Sequence, residues 1–210
     1  MKQDRARRTY DQLLDSAAAE FLRHGFTGTN LAAVAARSQV TKGALYGHFA
    51  SKAELAEELS RRFEDAWAQL LAASGRGDRS LVCTLRELTT GLARRLDDDP
   101  RFAAGLRLAT DAALVDRREP APIGELRDVL ESLVREAQRD GRTLAGQPPE
   151  VLARLVLVLL LGTHSTRWGA EGGGLAEQVR EIWDVVQPVV AERCGGGGAE
   201  GGRRGPVPYE

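Results

Sequence analysis

The sequence contains few of the residues that build cross-linked or metal-bound proteins. Its 210 residues include two cysteines and three histidines. The cysteines, Cys83 and Cys194, lack the C-x-x-C spacing of zinc and redox motifs. We therefore expect no metal site, no cofactor and no disulfide framework. Because no secretory signal is visible, we also expect a cytoplasmic protein with reduced thiols.

Long apolar runs and the motifs of common enzymes are also missing. The longest apolar run, Leu155 to Leu161, lies between Arg154 and His164. It is far shorter than the about 20 residues that a membrane-spanning helix needs, so it predicts a buried helix and argues against a membrane protein. No G-x-S-x-G, H-E-x-x-H, P-loop or Rossmann pattern occurs. We therefore expect no catalytic residues and no enzyme activity.

Charge is distributed unevenly along the chain. Residues 1–52 contain eight Lys and Arg against four Asp and Glu, a net charge of +4, and the remaining residues contain 21 against 26, a net charge of −5. A basic N-terminal segment on an acidic body is typical of a protein whose N-terminal part faces a polyanion.

Apolar residues recur at three- and four-residue steps along almost the whole chain. This spacing predicts an all-α fold of about nine helices. Glycine and proline clusters separate the helices. The predicted helices are Arg5–His24, Leu31–Arg37, Lys42–His48, Ser51–Ala73, Arg79–Leu96, Arg101–Val115, Ile123–Asp140, Pro149–Arg167 and Leu175–Arg193. The glycine content of 195–210 predicts a disordered tail.

Local signals mark the ends of the N-terminal helices. Gly25 is a natural stop for the first helix. Thr29 or Asn30 suits the cap of the second helix, and Thr41 suits the cap of the third. The sequence Ser51-Lys-Ala-Glu has the form of a capping box that opens the long fourth helix. Two short helices joined by a tight turn and braced by a first helix predict a helix-turn-helix unit.

The stretch TGTNLAAVAARSQVTKGALYGHFASKAEL, Thr27 to Leu55, resembles the DNA-binding domain of the TetR family of bacterial repressors. The resemblance rests on Val40-Thr-Lys-Gly43, on Tyr46-Gly-His-Phe49 and on Ser51-Lys52 at fixed spacing. It implies a helix-turn-helix DNA-binding domain at 1–52 and a helical ligand-binding and dimerisation domain at 53–194. The expected partners are a palindromic double-stranded DNA operator, a small-molecule effector and a second copy of the chain.

The resemblance also implies which residues lie on or near DNA: Thr29, Thr41, Lys42, Gly43, Ala44, Tyr46, His48 and Lys52. Each has a purely structural alternative. Thr29 and Thr41 suit helix caps, Tyr46 suits a core aromatic, and His48 suits a packed neutral histidine. Lys52 is expected to fix register on a phosphate rather than to read bases.

Two positions depart from the family pattern. Gly47 stands where the family usually carries a large residue, and a glycine there is expected to loosen the end of the recognition helix, because glycine costs about 1 kcal/mol in a helix. Gln39 replaces a glycine that is common in the turn, so a residue with a side chain is expected to adopt a positive φ.

A closer resemblance extends beyond the first domain. The segments KQDRARRTYDQLLDSAAAEF, VTKGALYGHFASK and EIWDVVQPVVAER look like the γ-butyrolactone autoregulator receptors of actinomycetes, which control secondary metabolism. Those receptors usually close over the lactone with tryptophan, whereas Ile123 and Leu126 occupy the corresponding positions here. The departure favours a pseudo-receptor that answers to another metabolite, such as an antibiotic.

The second domain offers a candidate pocket and a candidate dimer face. The last two helices, Pro149–Arg167 and Leu175–Arg193, are expected to pair with their copies across a two-fold axis. The candidate ligand-binding residues are Leu108, Asp111, Leu126, Leu130, Val156, Leu160 and Trp183, with His164 as a further polar candidate. Each of the apolar ones also suits the core, and Trp183 also suits the dimer interface. The alternative function is a helical interaction or scaffold protein that binds no operator.

Overall fold

The computed structural model describes residues 2–73, 80–139, 147–166 and 174–195, and these residues form nine α-helices and no strand. The all-α prediction is therefore confirmed. In chain order the helices are α1 (Lys2–Gly28), α2 (Leu31–Arg37), α3 (Lys42–His48), α4 (Lys52–Ala73), α5 (Leu81–Asp98), α6 (Pro100–Val115), α7 (Ala121–Arg139), α8 (Pro149–Thr166) and α9 (Leu175–Gly195).

The ends of several helices differ from the prediction. The first helix ends at Gly25 as predicted: α1 joins two helical pieces across this residue, whose φ of 64° and ψ of −176° are not helical, and the second piece runs to Gly28. Glycine tolerates this backbone, so it can end one piece and start the next. α5 begins after Ser80, whose hydroxyl accepts from the backbone N–H of Cys83 at 3.3 Å. α6 begins at Pro100, capped by Asp99.

The first of two hydrophobic cores lies between α1, α2, α3, α4 and α6. It is not confined to residues 1–52, because α4 and α6 contribute to it. Its fully or almost fully buried side chains are Leu13, Leu14, Ala17, Ala18, Phe21, Val34, Ala35, Leu45, Phe49, Leu55, Ala56, Leu59, Ala104 and Leu108. The helix-turn-helix unit is therefore packed directly on the body of the molecule.

The second core fills the space between the second half of α4 and helices α5 to α9. It includes Phe63 and Trp67 of α4, which pack against Phe102 with ring centroids 4.9 and 6.2 Å away. α4 thus contributes to both cores. Gly105 of α6 lies against Phe63, and an added Cβ there would overlap that ring. The absence of a side chain at Gly105 is what lets α4 and α6 cross closely.

Some predicted features lie outside the described residues. These are the predicted tail except Gly195, where α9 ends, and the side chains of His164 and Cys194. Within the described ranges, no helix is both long enough and apolar enough to cross a membrane. The same ranges contain no cluster of three His, Cys, Asp or Glu side chains that could hold a metal ion.

Candidate nucleic-acid interface

The turn between α2 and α3 is held by backbone and side-chain hydrogen bonds. Gln39 has a φ of 57°, as the sequence predicted for this glycine-lacking turn. The Ser38 hydroxyl donates to the carbonyl of Val34 at 2.8 Å, and the Val40 N–H donates to the carbonyl of Ala35 at 3.1 Å. Because each donor lies close to its acceptor in the chain, the turn is specified locally.

α3 is anchored on one side and open on the other. Thr41 caps the helix, since its hydroxyl oxygen accepts from the Ala44 N–H at 3.1 Å, and Leu45 is buried in the first core. Tyr46 is 56% exposed, which is incompatible with a core aromatic. The exposed residues of this segment are Thr41, Lys42, Gly43, Ala44, Tyr46 and Gly47.

The outward surface of α3 is low in profile. A Cβ added to Gly43 or to Gly47 would meet nothing within 4 Å, so both glycines face open space. Gly47 does not shorten the helix, which continues to His48. The two glycines are four residues apart and therefore lie on one face. A flat ligand surface can approach the α3 backbone closely along this face.

His48 lies at the edge of this surface and is partly buried. Its ring meets that of Tyr10 edge-on, with the centroids 6.2 Å apart, and Tyr10 stacks on Phe49 at 5.0 Å. His48 therefore has a packing role on α1 as well as a position next to the exposed face of α3.

Thr29 and Lys52 occupy a different environment from the exposed set. Thr29 is buried, and its hydroxyl donates to the carbonyl of Gly25 at 2.7 Å, while Asn30 rather than Thr29 caps α2. Lys52 Nζ donates to the carbonyls of Thr27 at 3.2 Å and Thr29 at 3.0 Å. The side chains of Thr29 and Lys52 thus hold the α1–α2 connection in place.

A hydrogen-bonded cluster behind α3 fixes α4 against α1. The Glu58 carboxylate accepts from Arg61 at 3.0 Å and Arg62 at 2.6 Å and is also hydrogen bonded to Tyr10. Burial raises the pKa of Glu58, but the hydrogen bonds from Arg62, Arg61 and Tyr10 outweigh it, so the pKa is lowered. Burial and the Glu58 carboxylate raise the pKa of Tyr10.

Two arginines of α6 bind α1 and were not singled out from the sequence. Arg101 donates to the Asp15 carboxylate at 2.7 Å and to the Asp11 carbonyl at 2.9 Å. Arg107 donates to the Leu22 carbonyl at 2.9 Å. These partners are far apart in the chain, and no local pattern indicates them.

The seven predicted ligand-binding residues do not gather in one place. Leu126 and Leu130 are buried at 1% and 0% exposure in the second core. Asp111 lies beside Arg107 and Gly25, against α1. A narrow apolar crevice between α5, α8 and α9 brings together three of the predicted residues, Val156, Leu160 and Trp183.

A larger cleft lies between α4, α6 and the start of α7, with a volume of about 540 Å³. Leu108 is the one predicted residue that lines it. Its other lining residues include Phe63, Trp67, Ala109, Pro122 and Glu125. The cleft sits where the two cores meet, because Leu108 belongs to the first and Phe63 to the second.

An apolar stripe on α8 and α9 is exposed. Val151, Leu155 and Val158, spaced four and three residues apart on α8, are 49%, 54% and 60% exposed. Leu161 continues the stripe at 38%, and Val185 of α9 is 72% exposed. Large exposed apolar patches mark interaction surfaces.

Comparison with known proteins agrees with this geometry. The family model for bacterial regulatory proteins of the tetR family matches residues 13–59. The A-factor receptor protein of Streptomyces griseus is 27% identical over 194 residues, which are 90% of this chain and 66% of that protein, slightly less than two thirds. The helix-turn-helix segment and its surroundings account for the family match.

Two solved structures extend the likeness over the body of the molecule. One is a γ-butyrolactone receptor, an ArpA-like protein, with 27% identity and a TM-score of 0.70, covering 90% of this chain and 98% of that one. The other is the TetR family protein CprB of Streptomyces coelicolor in complex with its operator sequence. It has 31% identity and a TM-score of 0.69, covering 87% of this chain and 88% of that one. By its sequence, its fold and its exposed α3, this chain belongs to the TetR family of bacterial transcriptional repressors.

Proposed function

We propose that the protein is a dimeric repressor that inserts α3 into the major groove of a palindromic operator. The observation that carries the proposal is the exposed face of α3, where Lys42 and Tyr46 flank the open surface of Gly43 and Gly47. A major groove about 12 Å wide admits a helix whose leading side chains are small. In this proposal Thr41, Lys42, Gly43, Ala44, Tyr46 and His48 lie on or near the DNA.

Thr29 and Lys52 have an indirect role in this proposal. Their side chains bind the α1–α2 connection, so they help to position helices α1 to α3. Lys52 retains a third N–H donor beyond its two carbonyl bonds, and a phosphate oxygen is the partner that we propose for it.

The dimer interface that we propose is the apolar stripe of α8 and α9. Pairing this stripe with its copy about a two-fold axis removes its valines and leucines from water, which favours association. A two-fold dimer also presents two α3 helices to successive major grooves, about 34 Å apart. In this proposal the boundary between the DNA-binding domain and the ligand-binding and dimerisation domain lies near residue 52. α4 connects the two domains. Binding chromosomal DNA implies a cytoplasmic protein.

We further propose that a small metabolite releases the dimer from DNA and that the target genes belong to secondary metabolism. The support is the similarity to the A-factor receptor protein and to γ-butyrolactone receptors. Ile123 and Leu126 in place of the receptors' tryptophans favour a metabolite other than a lactone. The ligand would act by binding one of two conformations of the dimer more tightly.

A gel shift of the purified protein on the DNA upstream of its own gene tests the proposal. We expect a complex that unrelated DNA of equal length does not form and that persists when a γ-butyrolactone is added. Release by the lactone would identify a true autoregulator receptor and contradict the pseudo-receptor assignment. A folded protein that binds no DNA of the host genome would contradict operator binding and favour the scaffold alternative.

A further inference from the structure

We propose that charges beside the apolar stripe of α8 and α9 select a second copy of this chain over other proteins with a similar apolar face. The positive charge is Arg154 on α8. The negative charges are Glu177 and Glu181 on α9, which together we call the acidic edge. Arg154 of one protomer pairs with the acidic edge of its partner, and the reverse pair forms by symmetry. This pairing rests on the proposed function, because it requires a dimer through the stripe.

Arg154 interrupts the apolar stripe on α8. It lies one helical turn from Val151 and Val158, which are 49% and 60% exposed, and next to Leu155. Arg154 is itself exposed and forms no salt bridge with any residue that the structure describes, including Glu150 one turn earlier. An arginine that enters an interface without a carboxylate loses its hydration and gains nothing in return. We therefore expect its partner on the second protomer.

The acidic edge lies beside Val185 of α9, the other end of the exposed stripe. Glu181 precedes Val185 by one helical turn and Glu177 precedes Glu181 by another, so the two carboxylates lie on one face of the helix. Both are exposed, and within the described ranges neither is paired with a cation. Arg180 does not neutralise them, because its Nε donates to the Ala176 carbonyl of its own helix at 3.1 Å.

α9 is fixed to α5, so the acidic edge has a preformed position. The Trp183 indole N–H donates to the Thr89 hydroxyl at 2.8 Å, and the Ala176 N–H donates to the Asp97 carboxylate at 2.9 Å. The first bond lies in the middle of α9 and the second at its start. A partner can therefore dock on the outer face of α9 without rearranging the helix, which keeps the cost of association low.

The apolar part of the stripe cannot discriminate between partners by itself, because hydrophobic association is not directional. Charges that flank an apolar seam do discriminate, since like charges placed opposite each other oppose association. A chain without a cation at the position of Arg154, or without carboxylates at the acidic edge, would leave one side of each pair uncompensated. A second copy of this chain supplies both sides.

The test mixes two charge-reversed proteins, Arg154→Glu and the double variant E177R/E181R, one of them carrying an affinity tag. Each variant alone places like charges opposite each other at both symmetry-related contacts. Analytical ultracentrifugation should show that the Kd of each homodimer rises about tenfold, because two exposed pairs change from attraction to repulsion. The mixture restores both pairs. We therefore expect native mass spectrometry of the mixture to show about nine tenths heterodimer, the share that a tenfold preference gives over the statistical half.

The mixture also separates pairing between protomers from pairing within one. An ion pair inside a protomer would be restored in the triple variant R154E/E177R/E181R and not in the mixture. The excess of heterodimer should shrink in about 1 M NaCl, because salt screens exposed charges. An excess that salt does not change would assign it to packing and overturn the charge pairing.

The matched control mixes Arg94→Glu with E57R/E136R, which reverse the same number of exposed charges on α5, α4 and α7. This mixture should contain the statistical half of heterodimer. Circular dichroism checks that every variant is folded.

Val158→Asp tests the proposed dimer separately, because it places a carboxylate in the apolar part of the stripe and should convert the dimer to a monomer. If Val158→Asp is monomeric and the mixture of Arg154→Glu and E177R/E181R is only statistical, the charge pairing is wrong and the proposed dimer stands. If wild type is monomeric, or Val158→Asp remains dimeric, the proposed interface is wrong and the pairing with it.

Discussion

Arg101 on α6 donates from Nη2 to the backbone carbonyl of Asp11 on α1 at 2.9 Å. The same guanidinium reaches the carboxylates of Asp11 at 3.3 Å and Asp15 at 2.7 Å. One side chain of α6 therefore makes three hydrogen bonds to α1. Because the Arg101 side chain is 23% exposed, water screens these bonds only in part.

Removing this contact should loosen the junction between α6 and α1. Arg101→Ala is expected to lower the free energy of unfolding by about 1–2 kcal/mol, since hydrogen bonds that involve a charged group contribute more than neutral ones. Urea denaturation followed by circular dichroism measures the change. Arg118→Ala is the control, because Arg118 is half exposed and pairs with its near neighbour Asp116. Equal midpoints for the two variants would contradict a structural role of Arg101.

Replacing Lys42 should weaken DNA binding without affecting the fold. Lys42 is exposed at the start of α3, and Lys42→Gln would remove two phosphate contacts from a dimer. The slope of log Kobs against log salt concentration should fall by about 1.8, as counterion release requires. Arg135→Gln is the control, since Arg135 lies on α7 and pairs with Glu131. An unchanged salt slope would argue against Lys42 as a phosphate ligand.

The parts of the interface that the sequence predicted are those with local causes. The caps at Asn30 and Thr41 join atoms two and three residues apart, and the positive φ of Gln39 lies within the short turn between α2 and α3. By contrast, Lys52 and Thr29 are separated by 23 positions, and Arg101 and Asp11 by 90. Such pairs depend on how the helices cross, which periodicity does not specify.

The ligand-binding candidates illustrate the same limit. Periodicity identified the apolar face of α7, and Leu126 and Leu130 on that face pack inside the second core. The part of α7 that lines the cleft is its first turn, with Pro122 and Glu125. A cleft arises where neighbouring helices fail to fill the space between them. The unfilled space depends on how three helices pack together, so the cleft cannot be predicted from the sequence of any one of them.

The close crossing of α4 and α6 depends on Gly105. A methyl group there would overlap Phe63 and lie 3.3 Å from the Leu59 carbonyl. Gly105→Ala is therefore expected to destabilise the protein by about 1–3 kcal/mol, the usual cost of overpacking. Gly91→Ala on α5 is the matched control, because its Cβ would meet nothing within 4 Å. Thermal unfolding should place Gly91→Ala at or above the wild type, since alanine favours a helix by about 1 kcal/mol. A Tm for Gly105→Ala at the wild-type value would contradict the tight crossing.

Glu58 should make the stability of the helix-turn-helix segment, α1 to α3, sensitive to acid. Its pKa in the folded protein is lowered, chiefly by hydrogen bonds from Arg62 and Arg61 acting against burial. Because its pKa is lowered on folding, the ionised Glu58 carboxylate stabilises the folded protein. This stabilisation is fully present above pH 4.5, the ordinary pKa of the group, and is lost as the pH falls through its pKa in the folded protein. Glu58→Gln keeps the shape of the side chain and removes the charge, so it should be less stable than wild type at neutral pH. Below pH 4.5 the difference should shrink, because Glu58 of the wild type also becomes neutral there.

Urea midpoints of wild type and Glu58→Gln between neutral pH and the acid limit measure this convergence. Glu136→Gln on the exposed face of α7 is the control and should run parallel to the wild type over the whole range. The Tyr10 hydroxyl provides a second check, because its raised pKa predicts stability that is present below the ordinary value of 10.0 and lost as the pH rises through the folded pKa. Tyr10→Phe should therefore remove the alkaline part of the profile and reduce the acid part without abolishing it, because Arg62 and Arg61 still donate to Glu58. Parallel wild-type and Glu58→Gln curves down to the acid limit would mean that the carboxylate does not hold α4 against α1, and the position of Tyr10 would then rest on its ring contacts with Phe49 and His48.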